Sequence, residues 1–265
     1  MDNKPNPPPA NATTPTGPAK LSESVRAVCE RLGSDEYNAE RERVERRRRD
    51  AERQLRQAER EAFREAFWKV RGKRYRRCTL ENFRAPTEDQ REVLATIQGY
   101  AEQLAANIEA GINLILTGPE GTGKDHLLAA LFDPAIDAGF SLKWTSGAML
   151  WSRLRDGITD ATTERSLIAD YTKPDVLILS DPQSISGALS KYQQDKLYEI
   201  VDTRYNHCQA IWVTLNCANK SEADEKIGAQ VVGRLRHDAV SVGCSWDSFR
   251  QSQDGKSRRM PAGGK

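Results

Sequence analysis

The chain has 265 residues, of which 38% are hydrophobic and 29% charged. That length accommodates one ordinary domain with extensions or two small ones, and the low apolar share implies that part of the chain buries nothing. No apolar run approaches the roughly 18 residues of a membrane span, and the first twenty residues lack the apolar stretch of a secretory signal; a cytoplasmic protein without membrane contact is expected.

The 40 basic and 38 acidic side chains leave a net charge of only +2, unevenly spread. Residues 40–77 hold 16 Lys and Arg against 8 Asp and Glu. A basic arm on a mildly acidic body implies an anionic partner for the arm. The five cysteines include no C-x-x-C pair, and with three histidines they complete no zinc pattern. Reduced thiols are expected.

In chain order, residues 1–20 contain six of the twelve prolines and read as an extended, solvated tail. Residues 21–71 form a charged helical arm, with a short helix at 21–32 and a long one from about Asp35 to Arg71 that lacks Gly and Pro. Its apolar positions Val44, Ala51, Leu55, Ala58, Ala62 and Ala66 make one narrow, Ala-rich stripe, and pairs such as Glu52 with Arg56 support its exposed faces. The arm reads either as a solvated helix or as a docking element for a protein or nucleic acid.

Gly72 ends the pattern, and residues 73–86 are a connector. Thr87 and Gln90 form a capping box opening a helix through about Ile108. β-rich runs follow at 112–117, 141–145, 176–179, 211–215 and 240–242, with helices between them at 124–133, 147–156, 161–172, 190–206 and 221–236. This alternation predicts an α/β fold with a five-stranded parallel sheet covered on both faces. Residues from about 251 read as a polar, disordered tail.

The segment Gly118, Pro119, Glu120, Gly121, Thr122, Gly123, Lys124, Asp125, His126 fits G-x-x-x-x-G-K between a strand and a helix. Its glycines let several backbone N–H groups face one point, a helix N-terminus adds its positive end, and Lys124 supplies an ammonium for the outer phosphates. All nine residues are candidate phosphate-binding positions. The residue after the lysine is normally Ser or Thr, whose hydroxyl binds Mg²⁺; here it is Asp125, a carboxylate able to ligate the metal itself. On the strand Val176–Leu179 the usual pair of terminal acids is replaced by Ser180 and Asp181. A single carboxylate then serves either as metal anchor or as the base that positions water. Asp125 and Asp181 are the candidate Mg²⁺ ligands.

With these motifs in register, residues 72–250 resemble the AAA+ P-loop ATPases of the DnaC-type bacterial helicase loaders, related to the IstB-type transposition helpers. The likeness is carried by Tyr75–Phe83, by Gly121–Leu127, by Ile200–Tyr205, by Gly233–Arg236 and by Ser245–Arg250. It implies an ATP and Mg²⁺ site in which Asn216 is the polar sensor near the γ-phosphate. Arg234 becomes an arginine finger acting on a neighbouring subunit, with Arg236 its rival, and Arg250 the sensor arginine of the same subunit. It further implies a replicative helicase gripped by the N-terminal arm, single-stranded DNA as a second partner, self-assembly with nucleotide, and slow ATP hydrolysis. Two alternatives stay open: a transposition helper on target DNA, and a nucleotide-gated adaptor that does not hydrolyse.

Overall fold

The structure is a computed structural model of the chain and describes residues 28, 30–157, 161–183 and 187–250. The expected tails at 1–20 and 251–265, and most of the expected helix at 21–32, lie outside the described residues; Val28 and residues 30–33 are helical. Contacts divide the chain into two compact units, Met1–Ala58 and Glu59–Lys265. The division between these units falls inside the long helix α1 (Asp35–Arg71), whose last turns bring Trp68 into the sheet domain's core and Phe67 against it.

In the first unit the Ser34 hydroxyl accepts the Tyr37 N–H at 3.2 Å and so caps α1. Its next turns are exposed on every face and laced with i,i+4 pairs, Arg41 with Glu45 at 3.1 Å and Arg48 with Glu52 at 2.9 Å. Such exposed pairs contribute only about 0.3–0.5 kcal/mol each.

In the second unit, helices α2 (Glu88–Glu102) and α3 (Leu104–Glu109) precede strand β1 (Asn113–Thr117). There follow α4 (Lys124–Ala138), β2 (Leu142–Ser146), α5 (Gly147–Gly157), α6 (Ala161–Thr172), β3 (Val176–Ser180) and α7 (Lys191–Asn206). The chain continues through β4 (Ala210–Leu215), α8 (Lys220–Ile227), α9 (Ala229–Arg236) and β5 (Ala239–Gly243). Among the described residues there are five strands, all parallel, in the order β2-β3-β4-β1-β5. Alternate residues of the continuous apolar runs serve opposite faces. Leu114, Leu116, Val176, Ile178, Ala210 and Trp212 join one core with α2, α3 and α4. Ile115, Leu177, Leu179, Ile211 and Val213 join the other with α5 to α9.

Two helices expected to be continuous are broken. The stretch 87–108 divides at Gln103, and 221–236 divides at Gly228, whose φ of 97° a helix cannot contain. The expected 124–133 helix runs on to Ala138 despite Pro134.

The last turns of α1 are part of the sheet domain. The Phe67 ring stacks on Phe132 of α4 at 3.8 Å between centroids. Trp68 is buried, and its indole donates to Asp133 at 3.2 Å. Arg64 pairs with Asp133 at 3.0 Å. A buried arginine fastens the starts of β3 and β4: Arg204 is fully enclosed and donates to the carbonyls of Tyr171, Pro174, Asp175 and Ala210 at 2.8–3.1 Å. Burial lowers its pKa to about 9, so it stays charged at neutral pH.

Candidate nucleotide-binding site

The loop between β1 and α4 sits at the carboxyl ends of the parallel strands, where open α/β sheets place their ligands. Gly118 has φ 133°, and a Cβ there would stand 2.2 Å from the Cys244 carbonyl oxygen. Gly121 has φ 81°, and its Cβ would stand 1.9 Å from Ser248 Oγ. Both positions therefore require glycine on conformation and on space. Gly123 is the N-cap of α4 and has no side chain to cap it, so the first-turn amides, including those of Lys124 and Asp125, are open to an anion. Pro119 and Glu120 are exposed at the rim.

Lys124 is buried and donates to the carbonyls of Gly118 and Pro119, both at 2.7 Å. Burial lowers its pKa, opposed first by the Asp181 carboxylate. The ammonium is held inside the loop's own curve, close to the amides that would meet the same phosphates.

Asp125 is held on three sides. Arg71, the last residue of α1, lies 3.5 Å from its carboxylate. The Tyr75 hydroxyl donates to it at 3.3 Å and Thr214 Oγ1 at 3.2 Å. The same Thr214 hydroxyl is 3.4 Å from the Asp181 carboxylate, so one hydroxyl lies between two acids. Asp181 has φ 47°, the left-handed region, at the turn that leaves β3. Burial raises its pKa, and the neighbouring Asp125 raises it further, while Lys124, Asn216 and Gln183 oppose the shift. Asn216 follows β4 and hydrogen-bonds Asp181, and among the described residues its own Oδ1 is buried without a partner. Ser180 Oγ accepts the Trp144 indole N–H at 2.7 Å and an Arg71 N–H at 3.4 Å.

Two hard carboxylates sharing a hydroxyl suit Mg²⁺, which takes one or two protein carboxylates and fills its shell from phosphate and water. Among the described residues no group of three or more His, Cys, Asp or Glu forms a cage of its own. The donor set therefore fits a metal brought by a nucleotide.

His126 faces away from this cluster, with Nε2 2.9 Å from the Thr79 carbonyl; because a carbonyl only accepts, the proton is on Nε2. The segment after β5 closes over the loop: Trp246 donates to the Thr122 carbonyl at 3.0 Å, Phe249 N–H to the Gly121 carbonyl at 2.9 Å. Arg250 Cδ lies 3.5 Å from a Cβ built on Gly121. The structure thus gathers residues 118–125, Asp181, Asn216 and Arg250. It does not bring Arg234 to them. That guanidinium pairs with Asp202 of α7 and lies over the Tyr198 ring at 4.6 Å. It lines a cavity of about 280 Å³ with Asn113 and Asp238, at the amino ends of β1 and β5. Arg236 is exposed.

Sequence reasoning missed Arg71, Tyr75, Trp144 and Thr214 as site residues. Thr214 had only a weak signal, its place two residues before Asn216 at the end of the strand; its position beside Ser180 is set by the β3–β4 register. Arg71 had none, being one of 16 basic residues in the same stretch.

The replicative helicase loader DnaC of Escherichia coli K12 is 29% identical over 184 residues, covering 69% of this chain and 73% of that protein. DnaC of Buchnera aphidicola subsp. Acyrthosiphon pisum is 28% identical over 180 residues, covering 67% and 71%. A crystal structure of the DnaC helicase loader superposes with TM-score 0.57 at 23% identity, over 65% of this chain and 99% of that one. AMPPCP-bound DnaA from Aquifex aeolicus superposes with TM-score 0.53 at 22% identity, over 64% and 51%. The fold is that of the AAA+ P-loop proteins. Residues 34–257 match the family model described as IstB-like ATP binding protein, and the chain belongs to that family.

Proposed function

We propose that the chain binds ATP with Mg²⁺ at residues 118–126 and uses it to load or remodel a replicative DNA helicase on single-stranded DNA. The observation that carries the reading is the meeting of the glycine loop, Lys124 and Asp181 at the carboxyl ends of the sheet, in a chain similar to DnaC. On triphosphate binding, Lys124 exchanges the carbonyls of Gly118 and Pro119 for outer phosphate oxygens, and Arg250 adds a second cation. Asp125 and Asp181 hold the metal, which when bound neutralises charge on the phosphates. With Asp181 committed to the metal, the Asn216 Oδ1, unpartnered among the described residues, accepts a hydrogen bond from the attacking water. With one acid where two are usual, turnover is slow.

Arg234 reaches a neighbouring subunit's site in a nucleotide-bound assembly, which requires it to leave Asp202. The exposed turns of α1 before Glu59 grip the helicase, and basic side chains of the body contact DNA phosphates, which makes DNA binding strongly salt-dependent. The test is co-purification of a replicative helicase with the full chain, with ATP and Mg²⁺. Retention is expected for the wild type and not for a chain lacking residues 1–58. Capture of a transposase instead, with no helicase retained, would replace this reading by the transposition helper.

The Ser180 hydroxyl favours a second reading. It stands where the first acid is usual and is held by Trp144 at 2.7 Å. A nucleotide-gated adaptor would bind ATP and keep it. Phosphate release with single-stranded DNA that does not exceed the Lys124→Ala background identifies the adaptor.

A further inference from the structure

Phosphate-loop sites pair a hydroxyl after the loop lysine with a carboxylate at the end of the neighbouring strand. This chain holds the same two groups in exchanged places: the carboxylate, Asp125, follows Lys124, and the hydroxyl, Ser180, ends β3. A guanidinium N–H group stands between them. Arg71 Nη2 is 3.5 Å from Asp125 Oδ2 and 3.4 Å from Ser180 Oγ. The guanidinium is fixed from a third direction by the Trp144 ring, 4.2 Å away, and by the Tyr75 ring at 5.0 Å. Among the described residues its Nε is buried without a hydrogen-bond partner. A cation so placed compensates two acids that otherwise face each other across Thr214.

We infer that Arg71 is the resident cation of the nucleotide-free site, and that a divalent cation arriving with nucleotide must displace it from Asp125 and Ser180. The inference rests on reading residues 118–126 as the nucleotide loop. Because Arg71 ends α1 two residues after Lys69 and three after the buried Trp68, its displacement loosens the last turn of that helix. The metal state of the site is thereby reported to the helix that carries the charged arm. A guanidinium is suited to this role: it stays charged, stacks on an indole and offers several N–H groups, yet each contact is weaker than a metal–carboxylate bond.

The test uses the full chain, Mn²⁺ as a paramagnetic probe without nucleotide, and the emission of Trp144 taken as the difference from Trp144→Phe. Arg71→Ala is expected to bind Mn²⁺ on the order of tenfold more tightly than wild type, with Arg71→Lys between the two and Arg71→Ala combined with Asp125→Asn losing the gain. Wild-type Trp144 emission changes when Mg²⁺ and ATP are added, and that change is absent in Arg71→Ala. Equal Mn²⁺ affinity in wild type and both Arg71 variants, or an identical emission change in Arg71→Ala, overturns the inference. If ATP does not bind at all while Arg71→Ala still tightens Mn²⁺, the displacement stands and the nucleotide reading fails.

Discussion

The indole N–H of Trp246 donates to the Thr122 carbonyl at 3.0 Å, so the segment after the last strand fixes the direction of a peptide in the phosphate loop. A trans peptide points its C=O and N–H in opposite directions. Holding the Thr122 carbonyl outward therefore turns the Gly123 N–H the other way, and the Phe249 bond to the Gly121 carbonyl does the same for the Thr122 N–H. Trp246→Phe keeps the ring and removes the donor. Calorimetric titration should show ATP affinity reduced about fivefold, equivalent to about 1 kcal/mol, without loss of the folded state.

Lys124 is the only ammonium among the loop residues 118–126. Lys124→Ala should weaken ATP binding by roughly 2–3 kcal/mol, on the order of a hundredfold, the usual magnitude for a charge-assisted contact. The same titration measures it.

Asp181 gives a pH dependence of defined sign. Burial and Asp125 raise its pKa above the ordinary value of 3.8. The raised pKa means that ionisation opposes folding as pH rises through and above that value. Asp181→Asn should therefore melt higher than wild type at neutral pH, and the gap should close as pH falls below about 4. The same variant should lose Mg²⁺-dependent ATP affinity. Thermal melts across pH, with and without Mg²⁺ and ATP, separate the two effects.

Arg204 tests the frame rather than the site. Arg204→Met leaves four carbonyls without their donor, and should destabilise the chain by at least about 3 kcal/mol while leaving the ATP affinity of the folded fraction unchanged. Denaturant unfolding checks the first statement, and titration below the transition checks the second.

Arg234→Ala removes a guanidinium held by Asp202 and Tyr198, remote from this chain's own loop. Nucleotide affinity should be unchanged, and ATP-stimulated assembly or turnover should be lost. Light scattering with ATP and phosphate release are the readouts; unchanged values withdraw the finger assignment.

The strands were legible because parallel strands buried on both faces are continuous apolar runs, and Val176–Leu179 is such a run, short and β-branched at Val176 and Ile178. The loop was legible because its glycines and lysine stand at a fixed spacing that backbone sterics demand. The breaks at Gln103 and Gly228 were not: Gln is an ordinary helix former, and a glycine inside a helical pattern does not declare its φ. Phe63, Phe67 and Trp68 did interrupt the Ala-rich stripe of the arm, a signal that the last turns of α1 belong with the sheet. The contact of Arg71 with Asp125 joins residues 54 positions apart and has no trace in local pattern.

Direct titration of ATP into the full chain with Mg²⁺, beside Lys124→Ala, bears most immediately on the account. Saturable binding of one nucleotide per chain, weakened on the order of a hundredfold in the variant, is the predicted result. Equal heats from the two proteins, or no saturation by any nucleoside triphosphate at millimolar concentration, would contradict it.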